Sequence, residues 1–262
     1  MNTYSLRRYR KYLLPMGCMA LLTWLSALGC GVHLASAWRT FGTSIGYFSG
    51  LLVPDWSAFS DLWGPALNSI FISVVGTFGG AVISLFFGLA AASNIAPPWL
   101  RQCTRFLLSL ERALPEIVIV LFLVAAFGMG PSSGVLALVI GSIGMLGKLF
   151  ADAIEELDMG SLDAIKAVGA NRLQVMVYGV WHQIVPTVVS YTLLRFEWSI
   201  RLSVALGAVG AGGIGLELNR SFQLLDYHRC CSALILVLVI IVLSERGSEY
   251  LRKKVNVGGT LK

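Results

Sequence analysis

Charge is scarce in this chain. Asp, Glu, Lys and Arg make up 13% of 262 residues, against 56% hydrophobic residues, whereas a soluble domain carries about 25% charged residues. With so few charges and repeated long apolar runs, the bilayer is the expected solvent. A disulfide framework is also missing. Cys18, Cys30 and Cys103 lie in or beside apolar segments, Cys230 and Cys231 are adjacent, and there is no C-x-x-C. These five read as small packing residues. The three histidines, His33, His182 and His228, are scattered, so no metal site is expected. G-x-x-x-x-G-K-[S/T], H-E-x-x-H and any Ser/His/Asp arrangement are absent too, which leaves the chain without a catalytic set or a nucleotide-hydrolysing loop of its own.

The charges that remain are placed informatively. Arg7, Arg8, Arg10 and Lys11 precede the first apolar run, and Arg246, Arg252, Lys253 and Lys254 follow the last. Basic flanks mark the cytoplasmic side, so both termini are expected inside, which requires an even number of spans. No soluble module exists to present these charges to nucleic acid. The basic start, the apolar stretch and "ASA" at 35–37 resemble a secretory signal, but the stretch from Leu13 to Ala37 exceeds an h-region; an uncleaved first span is expected.

The expected fold is an all-α integral membrane protein with six transmembrane helices. The spans are read at Leu13–Trp38, Pro65–Ile95, Phe106–Phe127, Gly134–Phe150, Ile184–Leu206 and Cys231–Leu243. Residues 1–12 and 251–262 are then cytoplasmic tails around a transmembrane domain of 13–250. The aromatic, charge-poor stretch before Pro65 suits an outer interface. Pro97 and Pro98 close the second span because proline cannot continue the helical ladder.

One internal loop, about 151–183, stands out. "SLDAIKAVGANRLQVM" at 161–176 carries Asp163, Lys166, Asn171, Arg172 and Gln174, with Ala164, Ala167, Val168 and Leu173 as a partly apolar face. Such a helix either lies on the lipid interface or docks in a groove of a soluble partner; spacing alone leaves both open.

Span five holds Arg195, Glu197 and Arg201, costly unless neutralised. Glu197 and Arg201 are i,i+4 neighbours and are expected to pair. Arg195 points to nearly the opposite face and needs Glu116 or Glu111 of span three, with Arg112 competing for Glu116. The groups either fix helix register or line a pathway, where the planar fork of arginine suits an oxyanion. Gly210, Gly212 and Gly215 spell G-x-G-x-x-G, but no strand precedes them as a dinucleotide site requires. With Gly213 they read as a tight outer turn.

"DAIKAVGANRLQVMVYGVWHQIVP" resembles the EAA loop of ABC-importer permeases. Asp163 stands at the acidic position, Ala164 and Ile165 at the small pair, Gly169 at the glycine and Pro186 at the later proline, with Ala167 among the small residues of the same helix. Ile165 departs from the second alanine, and Trp181-His182 from a frequent Leu-Pro. "SYTLLRFEWSIRLSVALGAVGAGGIG" and "RALPEIVIVLFLVAAFGMGPSSGVLALVI" resemble permeases of the phosphonate, phosphite and hypophosphite importers, a likeness running from about residue 65 to 250. The resemblance implies a type I ABC-importer permease (MetI-like) architecture in the bacterial inner membrane. It implies a coupling helix seated on an ATP-hydrolysing subunit, two such subunits using ATP and Mg, a periplasmic binding protein, and a second permease copy. No cofactor is expected on this chain. The expected role is import of a small phosphorus oxyanion; a permease for another solute, such as an amino acid, and an ATP-independent secondary transporter are the alternatives.

Overall fold

The computed structural model describes residues 3–31, 42 and 51–259. Every regular element among the described residues is helical. Helix α1 (Thr3–Gly29) belongs to a unit of its own, residues 1–52. The end of the expected first span, up to Trp38, and most of the aromatic stretch after it lie outside the described residues.

The second unit contains α2 (Ala58–Ala91), α3 (Pro98–Ala113), α4 (Glu116–Phe127), α5 (Pro131–Glu155) and α6 (Met159–Ala167). A wide-turned π-helical stretch, Val175–Trp181, then leads into α7 (His182–Leu206), followed by α8 (Ile214–Gln223) and α9 (Tyr227–Gly259). Three described helices, α2, α5 and most of α9, are long and apolar enough to cross a bilayer. The path Val175–Ala211 with α8, bent by 58°, makes a fourth, and Pro15–Gly29 and α4 are shorter apolar helices. The six expected spans therefore fall on four full-length candidates and two short ones.

Three span boundaries differ from expectation. Span three is not continuous: α3 stops at Ala113 and α4 starts at Glu116. Pro115 has no N–H, and it pushes Leu114 out of the helical region, to φ −87 and ψ 126. Span five begins earlier, because the chain is already helical from Val175 and runs on through Pro186. Span six is longer, reaching Gly259 through residues expected to form a tail.

The core is organised by α2 against α5. Gly76, Gly80, Ser84 and Gly88 recur every fourth residue and so share one helix face. A Cβ at Gly76 would lie 2.5 Å from the Leu138 Cβ, one at Gly80 2.5 Å from the Ser142 Cβ, and one at Gly88 2.8 Å from the Phe150 Cβ. The offset between partners is the same in each pair, so the two helices run parallel and in register. Small residues let the backbones close, which is how helices associate where lipid supplies no hydrophobic drive. Across this seam the Ser84 hydroxyl donates to the carbonyls of Gly80 (2.6 Å) and Ser142 (3.2 Å). On the other side α7 joins α2 through Thr77, whose hydroxyl donates to Ser199 Oγ at 2.7 Å.

Two ends of this unit are distinguishable. At one, His228 Nδ1 lies 2.8 Å from the Val53 carbonyl, and Ser232 donates to the Asp55 carbonyl at 2.8 Å. The Asp55 carboxyl is held below its ordinary range by hydrogen bonds from the Ser57 hydroxyl and backbone N–H. At the other end, Asn94 donates to the Ile154 carbonyl at 2.7 Å, tying α2 to α5 immediately before α6.

Candidate functional site

Helix α6 is built by its boundaries. Asp158 caps it, its carboxylate accepting from the Gly160 N–H at 3.0 Å. Gly169 ends it with φ +87, and its N–H donates to the Lys166 carbonyl at 2.9 Å. A left-handed residue two places after the last helical one is where glycine avoids a Cβ clash. Two residues on, Asn171 and Gln174 cap each other reciprocally: each side-chain oxygen accepts from the other's backbone N–H, at 2.9 and 2.8 Å. The chain then doubles back through Val175–Trp181. Leu162 is buried, and it packs with Ile165 over Gly179, where a Cβ would lie 2.5 Å from Leu162 Cδ2.

The opposite face of α6 is left uncovered. Asp163, Ala164, Lys166, Ala167 and Gly169 are exposed, as are Val168 at 85% and Leu173 at 73%. Among the described residues, Asp163 pairs only with Lys166 of its own helix, at 2.8 Å. The apolar face expected from the sequence thus points away from the bundle. Of the residues that hold the helix down, Leu162 and Gly179 were not singled out and Ile165 was read only as a departure from the second alanine, although Leu162 and Ile165 share the i,i+3 spacing that would have marked their packing role.

The charges of span five are arranged differently from expectation. Glu197 does not pair with Arg201. Its carboxylate takes Arg252 Nη2 at 2.6 Å, and Arg201 pairs with Glu245. Both partners sit on α9 beyond the expected end of span six, so the longer helix brings two complementary charges opposite α7. Arg195, 2% exposed, reaches between α4 and α5. Its Nη1 and Nη2 donate to the two carboxylate oxygens of Glu116, at 3.0 and 3.3 Å, and its Nε donates to Ser142 Oγ at 3.0 Å. Room for this fork exists because residue 141 is glycine: a Cβ there would lie 2.8 Å from the Glu116 carboxyl carbon and 3.0 Å from Arg195 Nη2. Glu111 lies against Gly144, where no side chain fits, and its Oε2 is buried without a hydrogen-bond partner. Arg112 is exposed and has no hydrogen-bond partner among the described residues.

At the opposite end, Gly210, Gly212 and Gly213 have φ of +104, +77 and +71, conformations that L side chains avoid. They turn the chain between α7 and α8, a bend of 58°, and Gly215 lies against the Val204 carbonyl. The Gly130 N–H donates to the Gly210 carbonyl at 2.9 Å, and the Ile214 N–H to Ser69 Oγ at 2.9 Å. Among the described residues no strand precedes these glycines, so they form a turn and not a dinucleotide loop. No metal-binding group of His, Cys, Asp or Glu occurs among the described residues.

The site is an exposed, capped helix beside a bundle of long apolar helices. Residues 84–257 match the binding-protein-dependent transport system inner membrane components. The chain belongs to that family. It is an ABC-type permease subunit, a membrane partner of an ATPase and a substrate-binding protein. It is 34% identical over 248 residues to the phosphite transport system permease protein PtxC of Stutzerimonas stutzeri, covering 94% of this chain and 89% of that one. It is 37% identical over 213 residues to the phosphate-import permease protein PhnE of Mycolicibacterium smegmatis, covering 80% of this permease but 40% of the relative's length. Its fold matches the inward-facing methionine ABC transporter MetNI with a TM-score of 0.65 at 19% identity, over 74% of this chain and 95% of that one.

Proposed function

We propose that this permease imports a small phosphorus oxyanion of the phosphite, phosphonate or phosphate class across the inner membrane by alternating access. Both termini face the cytoplasm, α6 couples to the ATPase, and the glycine-rich turn faces the binding protein. Two copies of the chain stand beside two ATP-binding subunits, which use ATP and Mg; this chain binds no cofactor. The observation that carries the coupling role is the uncovered face of α6, formed by Asp163, Ala164, Ala167 and Val168 and braced from behind by Leu162. The solute class rests on the relatives, whose names specify phosphite and phosphate.

ATP binding draws the two α6 helices together, and the wide-turned Val175–Trp181 stretch passes that movement into α7. The energy comes from the different contacts the two states make with nucleotide and partner. Arg195 acts as a strut, since all three of its guanidinium nitrogens donate to Glu116 or Ser142. Arg201, its side chain 41% exposed, and Arg112 are the cations a passing anion reaches. The test is uptake: cells lacking other phosphite and phosphate importers, given this permease with its ATPase and binding protein, should accumulate phosphite or a phosphonate in competition with each other. Uptake of methionine but of no phosphorus oxyanion would replace the solute assignment while leaving the coupling role in place.

A further inference from the structure

The end of the bundle that carries α6 also holds a cleft. A cavity of about 440 Å³ is lined by Ser93, Arg101, Gln102, Arg105 and Glu155. A second, of about 160 Å³, adjoins it through Arg105 and is lined also by Leu108 and Lys148. The single acid is already committed: Glu155 accepts from Arg105 Nη2 at 2.7 Å and from the Ser93 backbone N–H. Arg105 is committed as well, its Nε donating to the Ala91 carbonyl at 2.9 Å. The side chains of Arg101 and Lys148 have no hydrogen-bond or ion-pair partner among the described residues, so the cleft carries an excess of positive charge.

Lys148 is the less expected of the two. It lies inside α5, an apolar helix of the length that crosses a bilayer, where a lone lysine is costly unless its amine reaches the interface or an anion. The flank of the cleft is apolar and uncovered: Trp99, Phe106, Leu107 and Leu110 of α3 are all exposed. Tryptophan beside a basic cluster at a helix end is the signature of a membrane–water boundary.

We infer that this cleft binds the headgroup phosphate of an anionic phospholipid, with Arg101 and Lys148 as its cationic contacts and the apolar flank of α3 against its acyl chains. Free phosphate shares the headgroup chemistry, but it gives the exposed apolar flank nothing to contact. The inference concerns a cleft that α6 itself does not line, and it is independent of the transported solute.

The test is native mass spectrometry of the intact complex, extracted in mild detergent from membranes containing phosphatidylglycerol. Wild type should retain phosphatidylglycerol, and R101Q/K148Q should retain at least fivefold less, while R246Q/K254Q, which removes the same charge elsewhere, retains the wild-type amount. Unchanged retention in R101Q/K148Q overturns the proposal, as do equal losses in both variants or an adduct with only the mass of phosphate or phosphite. A second measurement needs no variant. In nanodiscs, replacing about a third of the phosphatidylcholine with phosphatidylglycerol should raise the unfolding temperature of the wild-type complex; no change overturns the proposal equally.

Discussion

Arg195 and Lys166 are both basic and both lie within 3.0 Å of an acid, yet they belong to regions built on opposite terms. Arg195 is nearly inaccessible, and its partners come from two other helices. Lys166 is half-exposed, and its acid is three residues away in its own helix. A buried charge must be answered inside the chain, because its desolvation is otherwise uncompensated. An exposed pair in one short helix is worth little to folding. The contrast separates the part of this permease that makes a bundle from the part that the proposed function gives to the ATPase.

The sharpest way to break the comparison is to attack the bundle side at its closest contact. Gly80→Leu would drive a side chain into Ser142 and the Val139 carbonyl, which cannot move without separating α2 from α5. Monodisperse complex should be lost almost entirely on size-exclusion chromatography. Next is Arg195→Gln, which strands Glu116 and should cost roughly 3–5 kcal/mol, read as a fall in unfolding temperature. Replacing both partners with apolar residues (R195M/E116L) should recover most of that loss. Normal stability with abolished uptake in Arg195→Gln would instead move Arg195 into the pathway.

On the α6 side, effects should reverse character. Asp163→Arg should change stability by no more than about 0.5 kcal/mol yet release the ATPase subunit, measured by co-purification. Smallest is Lys166→Gln: it removes an exposed pair worth about 0–1 kcal/mol and should leave both assembly and uptake near wild type. A large stability loss in either α6 variant would show that the helix serves the fold.

How legible this was in the sequence depends on whether the partner of a residue was local. The break at Gly169, the capped start of α6 and the turn at Gly210–Gly215 depend on neighbouring backbone, and their residue types announce them. The Gly76, Gly80, Ser84, Gly88 spacing was equally visible, although it does not say which helix fills the groove. Glu197 and Arg201 show the limit. Their i,i+4 spacing suggested mutual pairing, but α9 supplies Arg252 and Glu245 at the right height. That outcome could not be read while the charged end of span six was taken for a tail. Span three erred for a local reason: "ALPE" contains the proline that breaks it, but the apolar run on both sides outweighed that one residue. Arg195 was assigned two possible acids, and it takes Glu116, which lies over Gly141, while Glu111 lies over Gly144.

The most direct test of the account is the native mass of this permease co-expressed with its ATPase, followed by nucleotide hydrolysis in the presence of binding protein and phosphite. The account predicts a complex with two ATPase subunits whose hydrolysis rises with loaded binding protein. In Asp163→Arg and Gly169→Val the ATPase should be absent from complexes whose permease remains folded. A chain that purifies alone and transports the solute without any ATPase would contradict it.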